Sequence, residues 1–226
     1  MRIVFSPHID DAWLSLGGAI AAWRAANEKV IVVNIFSISN YTAAGFGDVT
    51  EVTARRKAEE RANAAATGVR PIFLHFRDVA IRYAWLDHEH YPTTIDWSKD
   101  SALLVRLKSS IRELLDRGAV HYFPLAVGQH VDHLLVREAV AKLDKKRTFA
   151  LAFYEDLPYA AKGGALPKEF IEENVLKPQL VEIDLATKLG LVKSYVSQFE
   201  ASWPGLLERH ASSLEPGKVC ERIWER

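Results

Sequence analysis

Cysteine is nearly absent from this sequence, since Cys220 is its only cysteine in 226 residues. Intrachain disulfides and cysteine-rich zinc sites are therefore excluded, and any metal ion must be bound through nitrogen and oxygen atoms. Lysine plus arginine equal aspartate plus glutamate at 29 each, so the chain has no overall basic field to attract nucleic acid or an anionic membrane. We therefore expect no nucleic-acid partner.

Long apolar runs are also missing from the chain. None approaches the roughly 20 residues needed to cross a bilayer, and the first residues show no secretory signal pattern. We expect a cytoplasmic protein that does not insert into membranes. The Gly-x-Gly-x-x-Gly pattern of nucleotide-binding folds is missing too, so close helix packing explains Gly17 and Gly18 better than a nucleotide does.

The chain does contain alternating apolar strands and helices, in a composition of 49% hydrophobic and 26% charged residues that is typical of one soluble domain. Strands are predicted at IVF, KVIVVNIF, PIFLHF, AVHYFPLAV, TFALAFYE and LVEI, and the last helix at DLATKLGLVKSYVSQF. This order predicts a single α/β domain over residues 1–226, with a Rossmann-like, mostly parallel sheet and helices on both faces. Residues 80–98 and 154–178 break the alternation and are predicted as long loops near the site.

The stretch SPHIDD follows the first predicted strand and brings three ionisable side chains together. These groups are costly to desolvate unless a partner such as a metal ion compensates them, and open parallel sheets bind ligands at this end of their strands. His8 and Asp11 are three residues apart, so at a helix start they can point to one side while Asp10 points elsewhere. The alternative is that Asp10 or Asp11 only caps the helix.

The stretch GQHVDHLLVREAV repeats this arrangement after a later strand, with His130, Asp132 and His133 just before a helix. One of the two imidazoles would complete a His, Asp, His ligand set, which suits catalytic zinc and also iron(II). A second histidine pair, His88 and His90 in DHEH, has no strand to fix it. We expect that second pair to bind no metal.

Four stretches together resemble the PIG-L/LmbE-like zinc-dependent N-deacetylases, which remove N-acetyl groups, typically from amino sugars and their conjugates. They are PHIDD with the following LGG, RRKAEERANAAATGV, QHVDH, and VEIDLATKLGLVKSYVSQ. The first and third are the specific ones, and the resemblance spans most of the chain. It implies that His8, Asp11 and His133 are zinc ligands and that Asp10 is the general base. It also implies that His130 is the electrostatic stabiliser or acid, and that Asp132 orients or tunes His130.

The sequence departs from this family pattern at two places. A glutamate usually follows the aspartate pair, where this chain has Ala12, so one carboxylate is missing beside the site. Some members have a tyrosine two residues before the histidine that matches His130, where this chain has Gly128. Either another tyrosine takes its role, with Tyr154 as a candidate, or this chain has no such tyrosine. Arg56 is either a helical ion-pair partner of Glu59 or, as the resemblance implies, a substrate contact.

These roles form a chemically consistent set for amide hydrolysis. A metal ion polarises the amide carbonyl and lowers the pKa of water, while a carboxylate accepts the proton. The resemblance thus implies one zinc ion per chain, with iron(II) as the alternative, and a hydrolase that releases acetate and a free amine from a small N-acetylated amino sugar or its conjugate. The alternatives are an amidase acting on a thiol conjugate or another non-sugar amide, and a non-catalytic metal- or sugar-binding protein of the same fold. Asp10 favours an enzyme, because a binding protein needs no base.

Aromatic residues of the segment 80–98 suit a sugar substrate. Trp85, Tyr91 and Trp97 have flat faces on which a sugar ring can stack. The alternative is that these rings are buried and only anchor the loop.

Overall fold

The structure is a computed structural model that describes residues 1–84, 91–144 and 146–226. The strands of the chain are β1 (Arg2–Ser6), β2 (Val30–Asn34), β3 (Tyr41–Thr42), β4 (Gly45–Phe46), β5 (Arg70–Phe73), β6 (Val120–Pro124), β7 (Ala150–Tyr154), β8 (Lys177–Glu182) and β9 (Cys220–Glu225). The helices are α1 (Asp11–Ala25), α2 (Val49–Thr67), α3 (Val79–Arg82), α4 (Trp97–Leu114), α5 (Val131–Leu143), α6 (Lys168–Glu173), α7 (Leu185–Lys193) and α8 (Trp203–Ser213). Every helix in these ranges is too short or too polar to span a bilayer.

Within the described ranges, the main sheet has seven strands in the order β5-β2-β1-β6-β7-β9-β8, and the first five are parallel. The predicted α/β class and mostly parallel sheet are confirmed. Both faces are covered by helices: α1 and α7 pack together on one face, and α4 and α5 on the other. Strand β1 shows why both faces need a cover: Val4 is buried in the core on one face of the sheet, and Phe5 is buried in the core on the opposite face.

The carboxyl-terminal end of β1 is where the chain changes direction across the sheet. From β1 the chain crosses to β2 on one side, whereas β6 lies on the other side of β1. Such a switch point leaves a crevice between two loops, and ligands of open parallel sheets bind there. The loops after β1 and β6 carry the two motifs, so the topology alone brings them together.

The C-terminal part differs from the sequence prediction. The helix predicted to run through Phe199 is wrong beyond Lys193, where α7 ends. The backbone N–H and hydroxyl of Ser197 instead donate hydrogen bonds to Glu59, which holds this segment as a turn. The sequence prediction also missed α8 and the antiparallel strand β9, which lies between β7 and β8.

The two segments predicted as long loops contain regular structure at their ends. Residues 80–98 include the end of α3 and the start of α4, and residues 85–90, with Trp85, His88 and His90, lie outside the described residues. Residues 154–178 include α6 and the start of β8. Both segments still contribute to the pocket at the switch point, through Tyr91 and Tyr159 among others.

Candidate metal centre and catalytic pocket

Three potential ligand atoms from the two motifs converge at the switch point. His8 Nδ1 lies 3.2 Å from Asp11 Oδ2, His133 Nε2 lies 3.2 Å from the same oxygen, and the two nitrogens are 3.3 Å apart. His133 is fully buried, and Asp11 is 6% exposed. The atoms therefore form a nearly equilateral triangle at the base of the pocket.

This triangle fits the coordination of a metal ion. Tetrahedral zinc with bonds of about 2.0–2.1 Å places its ligand atoms about 3.3–3.4 Å apart, close to the separations observed here. A second combination is the three imidazoles of His8, His130 and His133, whose ligand atoms lie within 4.8 Å of one another. The set that includes the Asp11 carboxylate fits better. His130 Nδ1 accepts a hydrogen bond from the Asp132 backbone N–H, so the proton of the neutral ring is on Nε2, the nitrogen left for a metal ion.

Each candidate imidazole ligand is oriented by a buried carboxylate on its other nitrogen. His8 Nε2 donates to Asp132 Oδ2 over 2.9 Å, and His133 Nδ1 donates to Asp156 Oδ1 over 2.6 Å. Such contacts fix the ring and its tautomer in metal sites. The expectation that the Asp132 carboxylate orients His130 is corrected, because that carboxylate binds His8 and only the Asp132 backbone N–H donates to His130. The charge of Asp132 still acts on His130, since it opposes the lowering of the His130 pKa.

The same carboxylates control protonation of the imidazoles in the metal-free protein. Burial acts to lower the pKa of His8, but Asp11 and Asp132 outweigh it and raise that pKa to about 9. Burial also opposes protonation of His133, whose pKa Asp11 and Asp156 raise to about 10. A metal ion binding here must displace protons from these rings.

Asp10 lies beside the triangle without belonging to it. Its backbone has φ 129°, and its side chain caps no N–H of α1, so the helix-cap alternative is not observed. Burial raises the pKa of Asp10 to about 7, although the guanidinium of Arg56, 3.4 Å away, opposes this increase. A carboxylate with this pKa can both accept and return a proton near neutral pH.

Arg56 is buried in the pocket wall rather than paired along its helix. Its Nη2 donates to the Ile9 carbonyl over 2.8 Å and its Nη1 to Ser39 Oγ over 3.2 Å. Glu59, one turn further along α2, binds Ser197 instead. Arg56 thus fixes the loop that carries Asp10 and also lines the pocket.

His130 is buried at the pocket, with 6% of its surface exposed, and its surroundings favour the uncharged imidazole. Burial lowers its pKa well below the ordinary value, and the neighbouring His8 lowers it further. Because Nδ1 accepts from the Asp132 N–H at 3.2 Å, the proton of the neutral ring is assigned to Nε2. His130 therefore has a neutral N–H donor available, not an imidazolium.

The pocket above these groups has a volume of about 260 Å³ and combines acidic, aromatic and amide side chains. Its floor contains His8, Asp10, Asp11 and His130. The lining also includes residues that received no individual role from the sequence: Tyr41, Asp78, Tyr159, Lys162, Gln198, Glu200 and Trp203. Gln198 ends the stretch VEIDLATKLGLVKSYVSQ quoted above, whereas no quoted stretch contains Lys162, Glu200 or Trp203.

The remaining candidates from the sequence fall outside the pocket. Ala12 is buried in the core, and its N–H donates to Ser6 Oγ. Tyr154 is unavailable to a ligand, because its buried hydroxyl donates to the Phe5 carbonyl over 2.9 Å. Trp97, a candidate for stacking on a sugar ring, is half exposed on α4 and contacts Lys142.

Comparisons with known proteins found a matching family model and a related protein. Residues 3–143 match the family model PIG-L, described as GlcNAc-PI de-N-acetylase. The 2'-N-acetylparomamine deacetylase of Streptomyces fradiae is 35% identical over 179 residues, which cover 74% of this chain but only 60% of that protein. The chain thus spans less than two thirds of that relative.

Solved structures show the same fold at low sequence identity. The zinc-inhibited form of teicoplanin deacetylase Orf2 superposes with a TM-score of 0.80 at 23% identity, covering 99% of this chain and 97% of that one. The N,N'-diacetylchitobiose deacetylase from Pyrococcus horikoshii gives a TM-score of 0.65 at 19% identity, covering 98% of this chain and 82% of that one. The similarity in fold therefore extends over the whole chain, beyond the part matched by the family model.

Proposed function

The chain belongs to the PIG-L family of GlcNAc-PI de-N-acetylases, and from that membership we propose that it is a metal-dependent N-deacetylase of acetylated amino-sugar conjugates. The observation that carries the proposal is the convergence of His8 Nδ1, Asp11 Oδ2 and His133 Nε2 beside a separate carboxylate, Asp10. A pure metal- or sugar-binding protein has no use for that fourth group.

In this proposal His8, Asp11 and His133 hold one zinc ion, and the same His, Asp, His set also accommodates iron(II). When bound, the metal supplies Lewis-acid polarisation of the amide carbonyl and acidifies water. Asp132 and Asp156 keep the two imidazoles turned towards it, through the 2.9 Å and 2.6 Å hydrogen bonds described above.

Asp10 performs the proton transfers in the proposed reaction. With a pKa of about 7, its carboxylate accepts the proton of the attacking water. The amine of an amide is a poor leaving group, so it must be protonated as the C–N bond breaks. Asp10, now a carboxylic acid held by Arg56, donates that proton to the amine nitrogen, and acetate remains.

His130 stabilises charge on the amide oxygen without donating its proton. As water adds, negative charge develops on the former carbonyl oxygen, and a fixed N–H donor in a buried site lowers the energy of that state. The neutral Nε2–H of His130 is such a donor, and the burial that lowers the pKa of His130 favours the uncharged ring.

The substrate class is supported by the Streptomyces fradiae relative, whose name states that it deacetylates 2'-N-acetylparomamine. The test is an acetate-release screen with zinc-loaded protein over N-acetylated aminoglycoside fragments, N-acetylglucosamine conjugates, acetylated thiol conjugates and aliphatic acetamides. The proposal predicts acetate from one or more N-acetyl amino sugars and none from the same sugars bearing a hydroxyl in place of the acetamido group. Acetate from thiol conjugates or aliphatic amides alone would replace the sugar part with the amidase alternative.

A further inference from the structure

Tyr159 is the pocket residue whose chemistry the proposed reaction leaves unused. It lies in the turn after β7, outside the segment that matches the family model, and its half-buried ring lines the pocket with Asp10, Asp11 and His130. Its ring stands perpendicular to that of His133, with centroids 5.8 Å apart. A proton donor is thus present in the pocket, on a residue whose ring packs against the candidate ligand His133.

The position of the Tyr159 ring is fixed by its surroundings. The Tyr159 carbonyl accepts hydrogen bonds from the N–H groups of Lys162 and Gly164, which close the turn. A Cβ at Gly128 would lie 2.7 Å from Tyr159 Cγ, so only glycine at that position leaves room for the ring. Tyr91 packs against its other edge, with ring centroids 5.6 Å apart. The side chain is therefore held in place before a ligand arrives.

The hydroxyl of Tyr159 has no hydrogen-bond partner within the part of the chain that the structure describes. Tyr91, which also lines the pocket, differs in this respect because its hydroxyl donates to the Gly128 carbonyl. A phenol is protonated at neutral pH. Burial raises the pKa of Tyr159 well above its usual value, and the nearby carboxylates of Asp11 and Asp10 raise it further. The group is consequently a neutral O–H donor on a residue that lines the same pocket as the candidate ligands His8 and Asp11.

We propose that the Tyr159 hydroxyl donates a hydrogen bond to the acetamide oxygen of the substrate as negative charge develops there, as a second donor beside His130. This inference rests on the proposed function, since it assigns a residue to the same reaction. A preorganised donor of this kind acts on the transition state more than on the bound substrate. Removing it should lower kcat and leave KM nearly unchanged.

The test compares Tyr159→Phe with wild type and with the matched control Tyr122→Phe. Phenylalanine keeps the ring that packs on Gly128 and His133, and Tyr122 is a core residue whose hydroxyl contacts Arg2, away from the pocket. We expect Tyr159→Phe to bind zinc normally and to lose about 10²-fold in kcat, the usual effect of deleting one oxyanion donor. Tyr122→Phe should keep the wild-type kcat. A Tyr159→Phe enzyme with wild-type kcat would overturn the inference.

A second arm separates charge stabilisation from packing. A trifluoroacetyl group stabilises the oxyanion by its own electron withdrawal, so less of the charge stabilisation has to come from the enzyme. The loss of kcat in Tyr159→Phe should therefore shrink to about tenfold on N-trifluoroacetyl substrates. An equal loss on both acyl groups would contradict the assignment, because a packing defect does not depend on the charge at the oxygen.

A binding measurement keeps this inference distinguishable from the proposed function. If the wild type releases acetate from no N-acetyl compound, the proposed function fails, and the affinity of the zinc-loaded protein for sodium acetate then decides the role of Tyr159. Isothermal titration should show acetate binding about tenfold weaker in Tyr159→Phe than in wild type and Tyr122→Phe, which corresponds to loss of one hydrogen bond to a charged oxygen. Equal affinities in the three proteins would refute the contact.

Discussion

Asp156 provides the sharpest test of how the fold supports the proposed metal site. Its Oδ1 accepts from His133 Nδ1 at 2.6 Å, and its Oδ2 accepts from the Val127 N–H at 2.8 Å, with both acidic and imidazole side chains fully buried. Replacement with asparagine keeps the shape but supplies only one acceptor. If that oxygen stays on His133, the new NH₂ group faces the Val127 N–H, and two donors oppose each other.

The magnitude of this change follows from the two lost contacts. Weakening the partner of a metal-ligating imidazole typically costs about 10- to 100-fold in metal affinity. That range corresponds to about 1.4–2.7 kcal/mol. The unpaired backbone N–H of Val127 adds a destabilisation of about 1–3 kcal/mol to the free energy of unfolding. Both effects should therefore appear in Asp156→Asn.

The assay is competition for zinc between the protein and a fluorescent chelator, with urea unfolding measured on the same samples. Asp184→Asn is the matched control, because Asp184 caps α7 at the surface and asparagine is an equally good cap. The control should keep the wild-type zinc affinity. A folded Asp156→Asn protein that binds zinc as tightly as wild type would refute the supporting role of Asp156.

Two further predictions concern protonation and packing. Folding of the metal-free protein raises the pKa of His8 from 6.5 to about 9 and that of His133 to about 10, so these rings stabilise the fold fully below pH 6.5. Urea unfolding of chelator-treated protein should show that contribution disappearing as the pH rises to 10, while zinc binds more tightly over the same range; a constant stability would contradict the raised pKa values. Gly128→Ala, with φ +82° and a Cβ 2.7 Å from Tyr159, should lower the unfolding free energy by about 1–3 kcal/mol. Gly190→Ala is the control, and it should not lower the unfolding free energy, because its Cβ would meet no atom within 4 Å. Equal thermal stability of the two variants would argue against the close contact between Gly128 and Tyr159.

The central fold was predictable because its strands are strongly apolar and alternate with helices. Residues such as Val4, Val32 and Phe123 are fully buried in β1, β2 and β6, and this burial is visible as continuous apolar runs. The C-terminal strand β9 was missed, because CERIWE mixes charged and apolar residues and its pairing partners lie far away in sequence. Long-range pairing of this kind leaves no local pattern.

The candidate ligands were predictable for a topological reason, whereas their supporting contacts were not. His8 and His133 each follow a strand at the switch point, so their convergence follows from the parallel sheet. Asp156 is 23 residues from His133 and approaches it only because β7 lies beside β6. The family resemblance also did not show which ring the Asp132 carboxylate orients, since the start of α5 directs that carboxylate towards His8.

The charge of His130 could not be predicted from sequence for a similar reason. Its low pKa results from burial and from the positive charge of neighbouring imidazoles, both of which exist only in the folded chain. The position of Tyr159 in the pocket likewise depends on its contacts with Gly128 and Tyr91, which sequence spacing does not predict.

The central claim is that Asp10 transfers protons while Asp11 holds the metal, and Asp10→Asn tests it most directly. Zinc content and acetate release must be measured on the same preparation of this variant and of wild type. Asparagine at this position cannot accept a proton, so the account predicts a full complement of zinc with kcat lower by about 10²–10⁴-fold, the usual contribution of an acid–base group. A zinc-replete Asp10→Asn protein with wild-type activity would contradict the account, as would loss of the metal itself.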